Sequence, residues 1–189
     1  MKIKKCDIKE AEKFYNDYIL FDFPKPEVKP FKTIKSLMER GLYIVLSFEE
    51  DNNLKAYAFL CYNSKKDYLL LDYYAVLKQY RGTGIGKKIF KILTNEFENM
   101  KGIIVEAENP MFSKDNEDDI IRKRRISFYE KCGLYDTGVR ENVFEVSYVV
   151  LFKEIKGKAA QDDILSELED IYKLLVRQPY YDLLVKFYI

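Results

Sequence analysis

Gln79-Tyr80-Arg81-Gly82-Thr83-Gly84-Ile85-Gly86 stands between an apolar, aromatic run (Tyr68 to Val76) and a segment of helical periodicity (Ile85 to Met100). A glycine-rich turn that leaves a strand and opens a helix is a place to bind phosphate. The first N–H groups of a helix have no partner inside it, and the helix dipole adds roughly half a positive charge at that end. Glycines remove the side chains that keep a pyrophosphate from the backbone. Arg81 and Lys87 bracket the turn and add full charges.

The spacing excludes a P-loop, which needs G-x-x-x-x-G-K-[ST]. A dinucleotide fold is a closer rival. It has a strand, glycines, a helix and then a strand ending in acids (Glu106, Glu108). Its third glycine, however, falls where Lys87 stands, and the motif is entered from an antiparallel meander. A ligand-free turn is the plainest alternative, but three alternating glycines are entropically costly.

Outward from the turn, the pattern is regular. Upstream, Leu42–Phe48, Leu54–Tyr62 and Tyr68–Val76 read as strands joined by short polar turns, hence an antiparallel meander. Before them, residues 7–20 carry apolar positions at helical spacing. Three prolines between Phe21 and Pro30 then forbid a continuous helix, and a short helix near Thr33–Arg40 stops at Gly41. Downstream come the helix to Met100, a strand Ile103–Glu108, an acidic loop 112–119 and a helix Asp118–Cys132. Leu134–Val139 and Val143–Phe152 form a closing hairpin, and a helical tail lies beyond Lys158. The order predicts an α+β (mixed α/β) fold, a mixed sheet with helices on its faces. Residues 1–153 are expected to form the domain. Residues 154–189 are expected to be a helical extension whose apolar face packs on the core or pairs with a second copy in a homodimer.

Composition narrows the chemistry. The 189 residues carry a net charge of +1 and are 48% hydrophobic, so a sizeable core is available and nothing favours DNA, RNA or membrane binding. Histidine is absent, which removes the commonest general base and metal ligand. Cys6, Cys61 and Cys132 show no metal spacing, so no metal is expected, and Cys61 and Cys132 read as buried thiols. The basic start lacks an apolar segment, and a reducing cytoplasm is expected.

The residues resemble a known family. Gln79-x-x-Gly82-x-Gly84 matches the (Q/R)-x-x-G-x-(G/A) signature of the GNAT superfamily of acyl-CoA-dependent N-acyltransferases. Ser127-Phe128-Tyr129-Glu130-Lys131-Cys132-Gly133-Leu134 is similar to that family's late FYxKxGF element, at the right separation. The resemblance covers roughly Leu42 to Phe152. It implies a GNAT-like three-layer fold with a mixed, mostly antiparallel central sheet, and acetyl-CoA (coenzyme A) as cofactor. Backbone N–H groups of Arg81, Gly82, Thr83, Gly84, Ile85 and Gly86, with Lys87 nearby, correspond to the pyrophosphate cradle. Ala75, Val76 and Leu77 correspond to the strand edge beside the pantetheine arm, where two strands splay apart.

The implied reaction is direct attack of an amine on the thioester through a tetrahedral intermediate. Tyr129 matches the general acid to the CoA thiolate, since a phenol near pKa ~10 suits that role. For the base, Glu106 and Glu108 share one strand face, and Asp72 is a third carboxylate; Glu106 sits deeper and is preferred. Arg122 and Arg125 stand where the family often has Asn and a small residue. They are left to a cofactor phosphate, an acidic substrate group or the helix surface.

Acceptor choice falls to Phe21–Phe31, the loop after Pro110 and the region Tyr135–Asn142. Phe23 and Glu27 are candidates to line an amine site, with Asp72 and Glu108. The expected partner is a small-molecule or peptide amine. A non-catalytic acyl-CoA-binding or sensing module is the alternative. A tRNA-directed acetyltransferase is disfavoured by the near-neutral charge.

Overall fold

In the computed structural model, which describes residues 1–189, the chain begins with a short strand absent from the sequence pattern, β1 (Lys2–Lys5). Ile3 is set opposite Phe48. Asp7 then caps α1 (Ile8–Phe14). The Asp7 carboxylate accepts the Glu10 N–H at 2.9 Å, and the Glu10 carboxylate accepts the Asp7 N–H at 3.0 Å. This reciprocal pair satisfies two donors that an uncapped helix leaves open. The helix widens into a π turn over Tyr15–Ile19 and ends in α2 (Leu20–Asp22). Pro24, Pro26 and Pro30 then keep the chain irregular until α3 (Phe31–Glu39).

The meander follows as β2 (Tyr43–Glu50), β3 (Asn53–Tyr62) and β4 (Tyr68–Val76). After the glycine turn come α4 (Ile85–Glu96), β5 (Gly102–Glu108), α5 (Asn116–Lys131), β6 (Tyr135–Val143) and β7 (Val146–Glu154). The chain closes with α6 (Gln161–Leu175), α7 (Tyr180–Leu184) and β8 (Val185–Tyr188). The eight strands form one sheet in the order β1-β2-β3-β4-β5-β7-β6-β8. Only β4 and β5 run parallel, and their ladder stops at Leu71 opposite Val105. One residue further, Asp72 is skipped in the β3–β4 register, which passes from Leu71↔Leu60 to Tyr73↔Phe59. A bulge there bends β4 away from β5. Beyond it, Asp72–Val76 and Glu106–Glu108 face each other across an unpaired gap.

Three expectations need correction. The turn between β6 and β7 falls at Phe144 and Glu145, both at positive φ (48° and 73°), not near residues 140–142. Turns of this handedness usually advertise themselves with Asn or Gly, and this one does not. Glu141 is therefore a strand residue, fully buried. The appended C-terminal segment is not wholly helical either. Val185–Tyr188 pairs with β6, with Val185 opposite Val143 and Tyr188 opposite Arg140. An uncovered sheet edge is a liability, and the final residues cover it. Cys132 also departs from expectation: it caps the end of α5 and is only partly buried, whereas Cys61 is buried.

Helices cover both sheet faces, giving three layers. One face packs against α1, α3 and α6 through residues including Ala11, Ile34, Leu37, Ile164, Leu168 and Ile171. The other packs against α4 and α5 through Ile89, Phe90, Leu93 and Tyr129. No helix is long and apolar enough to cross a membrane. Seven residues beyond Ile155 belong to the first cluster, from Ile164 to Val185. Each large apolar side chain buried this way contributes about 1.5–3 kcal/mol, and a whole domain is stable by only about 5–15 kcal/mol. Deleting residues 159–189 should therefore give aggregated or molten protein. A truncated chain with the cooperative unfolding and thermal midpoint of the full one would contradict this packing.

Candidate functional site

The gap between β4 and β5 opens into a cavity of about 560 Å³. The glycine turn forms one end, the start of the α2–α3 loop a side, and α5 the floor. Of the residues singled out in the sequence, Ala75, Val76, Arg81, Gly82, Gly84, Gly86, Lys87, Glu106, Tyr129, Phe23, Glu27 and Asp72 line it. Leu77, Thr83, Ile85 and Glu108 do not. The Leu77 N–H is bonded to the Lys55 carbonyl at 2.9 Å, and the Thr83 hydroxyl donates to the Tyr80 carbonyl at 2.8 Å.

Gly82 and Gly84 sit at φ 79° and 80°, a left-handed conformation that favours glycine. A Cβ at either would meet no atom within 4 Å, so no packing requires glycine there. Gly84 is the N-cap of α4, and no side chain bonds the first-turn N–H groups. The first turn holds no acid either. Open space, unpaired donors and a helix dipole thus coincide with Lys87, a fit for a diphosphate. Arg81 behaves differently from the expected cradle residue. Its N–H is bonded to the Lys78 carbonyl at 3.2 Å. Its side chain folds back along β4, donating to the Val76 carbonyl at 2.8 Å and pairing with Asp22 at 3.1 Å.

Tyr129 projects from α5 with its ring against Phe90 and Phe128, at centroid distances of 5.9 and 5.2 Å. Burial pushes its phenol up to about 12, so it is protonated at neutral pH.

The expected carboxylates divide into different roles. Asp72 is locked: it holds Lys29 at 2.6 Å and accepts from the Tyr43 hydroxyl. Burial alone lowers the Lys29 ammonium, but the charge of Asp72 leads a set of neighbours that more than offsets it, and the net shift is upward. Glu108 pairs with Arg125 and, at 3.5 Å, with Arg122. Arg122 is neither a surface charge nor a cavity residue. It is buried, donates to the Asn109 carbonyl at 2.9 Å and pairs with Asp118 at 2.9 Å, which fastens α5 to the end of β5. Glu27 lies under the cavity wall, and burial followed by the charge of Glu108 pushes it up to about 7.

Glu106 has the most unusual surroundings. One carboxylate oxygen is buried with no hydrogen-bond donor, and its strand neighbour two residues along β7 from Glu106's partner Val150 is Tyr148, itself opposite Glu141. Burial raises both carboxyls, and the neighbouring charge of Glu106 drives Glu141 higher still, while Glu141 and the Lys29 charge hold the rise of Glu106 in check. Both Glu141 oxygens are buried without a hydrogen-bond partner. Of the pair, Glu141 therefore keeps its proton to the higher pH. Tyr148 and Tyr172 are absent from the sequence reading of the site, and Lys29 and Glu141 enter it only as members of the segments Phe21–Phe31 and Tyr135–Asn142. Glu141 falls between the two expected strands of the closing hairpin, and Tyr172 belongs to a helix far along the chain.

A stability effect follows from this pair. Folded Glu141 keeps its proton to higher pH than the unfolded carboxyl, whose value is 4.5. Its contribution is fully present below that value and is lost as pH rises toward the folded one, by at most about 1.4 kcal/mol per pH unit. Glu141→Gln should flatten the fall in stability between about pH 5 and 7.5 and raise the melting temperature at the upper end. An unchanged pH slope in paired unfolding curves would remove the proton from Glu141.

Residues 40–133 match the family described as acetyltransferase (GNAT) domain. Among curated proteins, none matches the chain. Solved structures of similar fold include an acetyltransferase from the GNAT family of Bacteroides thetaiotaomicron. It is 16% identical with a TM-score of 0.68, covering 94% of this chain and 100% of that one. The ribosomal-protein-S18-alanine N-acetyltransferase of Escherichia coli is 17% identical with a TM-score of 0.60, covering 84% and 96%. An aminoglycoside 6′-N-acetyltransferase complexed with coenzyme A is 14% identical with a TM-score of 0.57, covering 84% and 99%. At these identities the likeness is one of fold.

Proposed function

We propose that the chain, whose residues 40–133 match the acetyltransferase (GNAT) domain, moves the acetyl group of acetyl-CoA to a primary amine. The observation that carries this reading is a single cleft that joins an open helix start, a buried phenol and a buried carboxyl. The N–H groups that open α4, with Gly82, Gly84 and Lys87, would hold the diphosphate. The edge of β4 at Ala75 and Val76, which does not pair with β5, would face the rest of the cofactor, and Arg81, bonded to the Val76 carbonyl and to Asp22, stands over that edge. When bound, acetyl-CoA supplies an activated thioester acyl group.

The side chains of the chain handle the protons. Glu106 at the cavity wall would take the proton of the incoming ammonium, leaving a neutral amine as the nucleophile, with Glu141 behind it as the carboxyl that keeps its proton to higher pH. Tyr129 Oη would supply the proton for the departing sulfur. Asp72, spent on Lys29 and Tyr43, is not the base. Glu108, spent on two arginines, is not a substrate ligand. Both carboxylates fix the walls instead.

The test is turnover of acetyl-CoA against a panel of amines, read as thiol release. Amine-dependent release supports the reading. Release no faster than the uncatalysed rate with every amine, despite cofactor binding, would leave a binding module only.

A further inference from the structure

Behind the cleft lies a second, larger chamber of about 870 Å³, between the 25–30 loop, α3, the β6–β7 turn and the C-terminal segment. Glu27, Lys29 and Tyr148 line both cavities and so form the wall between them. The volume is that of a small-molecule site. Its charge is one-sided. Lys25, Lys32, Arg40, Lys173 and Arg177 line it, all exposed, and Glu27 is its sole carboxylate. Lys173 has a distant partner in Glu169 at 3.7 Å, and Lys29 is neutralised by Asp72. Lys25, Lys32, Arg40 and Arg177 have no carboxylate within 4.0 Å.

We propose that this chamber seats the acceptor, and that the acceptor is a small amine carrying an oxyanion, carboxylate or phosphate, at its far end. The inference rests on the acetyltransferase reading and adds the substrate class. The two ends of the site have opposite character. Glu27 faces the amine from the shared wall, and Glu106 stands beyond it on the cofactor side. At the exposed end, four unpaired cations face whatever the amine is attached to. A concave, low-dielectric surface lined by one sign of charge concentrates the opposite sign. A polyamine would place its second ammonium among these cations and be repelled; a neutral alkylamine would gain nothing from them. Tyr148 and Tyr172 supply the apolar sides for the connecting carbons.

The experiment compares three amines of matched length with the full chain and acetyl-CoA: an ω-amino carboxylate or aminoalkyl phosphate, the plain alkylamine, and a polyamine. Together these exposed cations should lower KM for the oxyanion amine about tenfold against the alkylamine. That advantage should shrink as salt rises, because exposed charges are screened. The double variant Lys25→Glu/Arg177→Glu should raise KM for the oxyanion amine about tenfold. Calorimetry with acetyl-CoA on the same variant reports that the cofactor cleft is intact. Preference for the alkylamine or the polyamine, no acceptance of the oxyanion amine while acetyl-CoA binds, or a salt-independent KM would overturn the proposal. Loss of acetyl-CoA binding by the unmodified protein would overturn the parent reading as well, so the two failures are distinguishable.

Discussion

Tyr129→Phe lowers kcat by about 10²-fold or more while the dissociation constant for acetyl-CoA moves by no more than about twofold. The asymmetry comes from what the substitution removes. The ring is held between Phe90 and Phe128 in the apolar layer under α4 and α5, and phenylalanine keeps that packing. Only the hydroxyl is lost, and the hydroxyl acts when the thiolate leaves. A group needed in the transition state and not in the ground state shows itself in kcat and not in binding. The measurement is steady-state thiol release with a saturating amine, paired with calorimetric titration of acetyl-CoA. Unchanged kcat would strip Tyr129 of its role as acid. This pair of measurements also separates an enzyme from a non-catalytic acyl-CoA-sensing module, because a sensor has no kcat to lose.

Glu106→Gln is expected to cost about as much, 10²-fold or more in kcat/KM at neutral pH. The amide keeps the shape of the carboxylate and cannot accept the ammonium proton. The supporting residue gives a finer signature. Glu141→Leu removes the neighbouring carboxyl that holds Glu106 down, so the acidic limb of the kcat/KM profile should move up. Glu141→Gln retains a donor and should keep the limb near its original place. The sign is fixed by the direction of the pairing: Glu141 lowers Glu106, and losing it raises Glu106. A limb that stays put in Glu141→Leu, or moves down, would show that the two carboxyls do not share a proton. Both acid–base assignments rest on environments that push two neighbouring carboxyls apart, a common way to recognise such roles.

Local signals carried much of this in the sequence. Gly82 and Gly84 were readable because a strand-to-helix turn of positive φ has few alternatives to glycine, and Tyr129 because its neighbours repeat a family element. The meander was readable from alternating apolar residues with polar turns between them. Other parts depend on contacts between distant segments. Glu141 looked like a turn residue because Phe144 and Glu145 make their turn without glycine or asparagine. Asp72 and Glu108 looked like free carboxylates because Lys29, Tyr43, Arg122 and Arg125 reach them only in three dimensions. The strand at Val185–Tyr188 is four residues long, too short for periodicity to reveal it, and exists because β6 offers an edge.

Calorimetric titration of acetyl-CoA into the unmodified protein and into Gly84→Asp tests the central claim most directly. Aspartate tolerates the left-handed region better than most residues, so the helix should survive with a modest fall in melting temperature from the strain at φ 80°. Its carboxylate, however, sets a negative charge where the diphosphate is expected. The account predicts saturable binding to the unmodified protein and an affinity at least about 10²-fold weaker in Gly84→Asp, equivalent to about 3 kcal/mol. No heat with the unmodified protein, or equal affinity in the folded variant, would contradict the assignment of the α4 start as the cofactor's anchor.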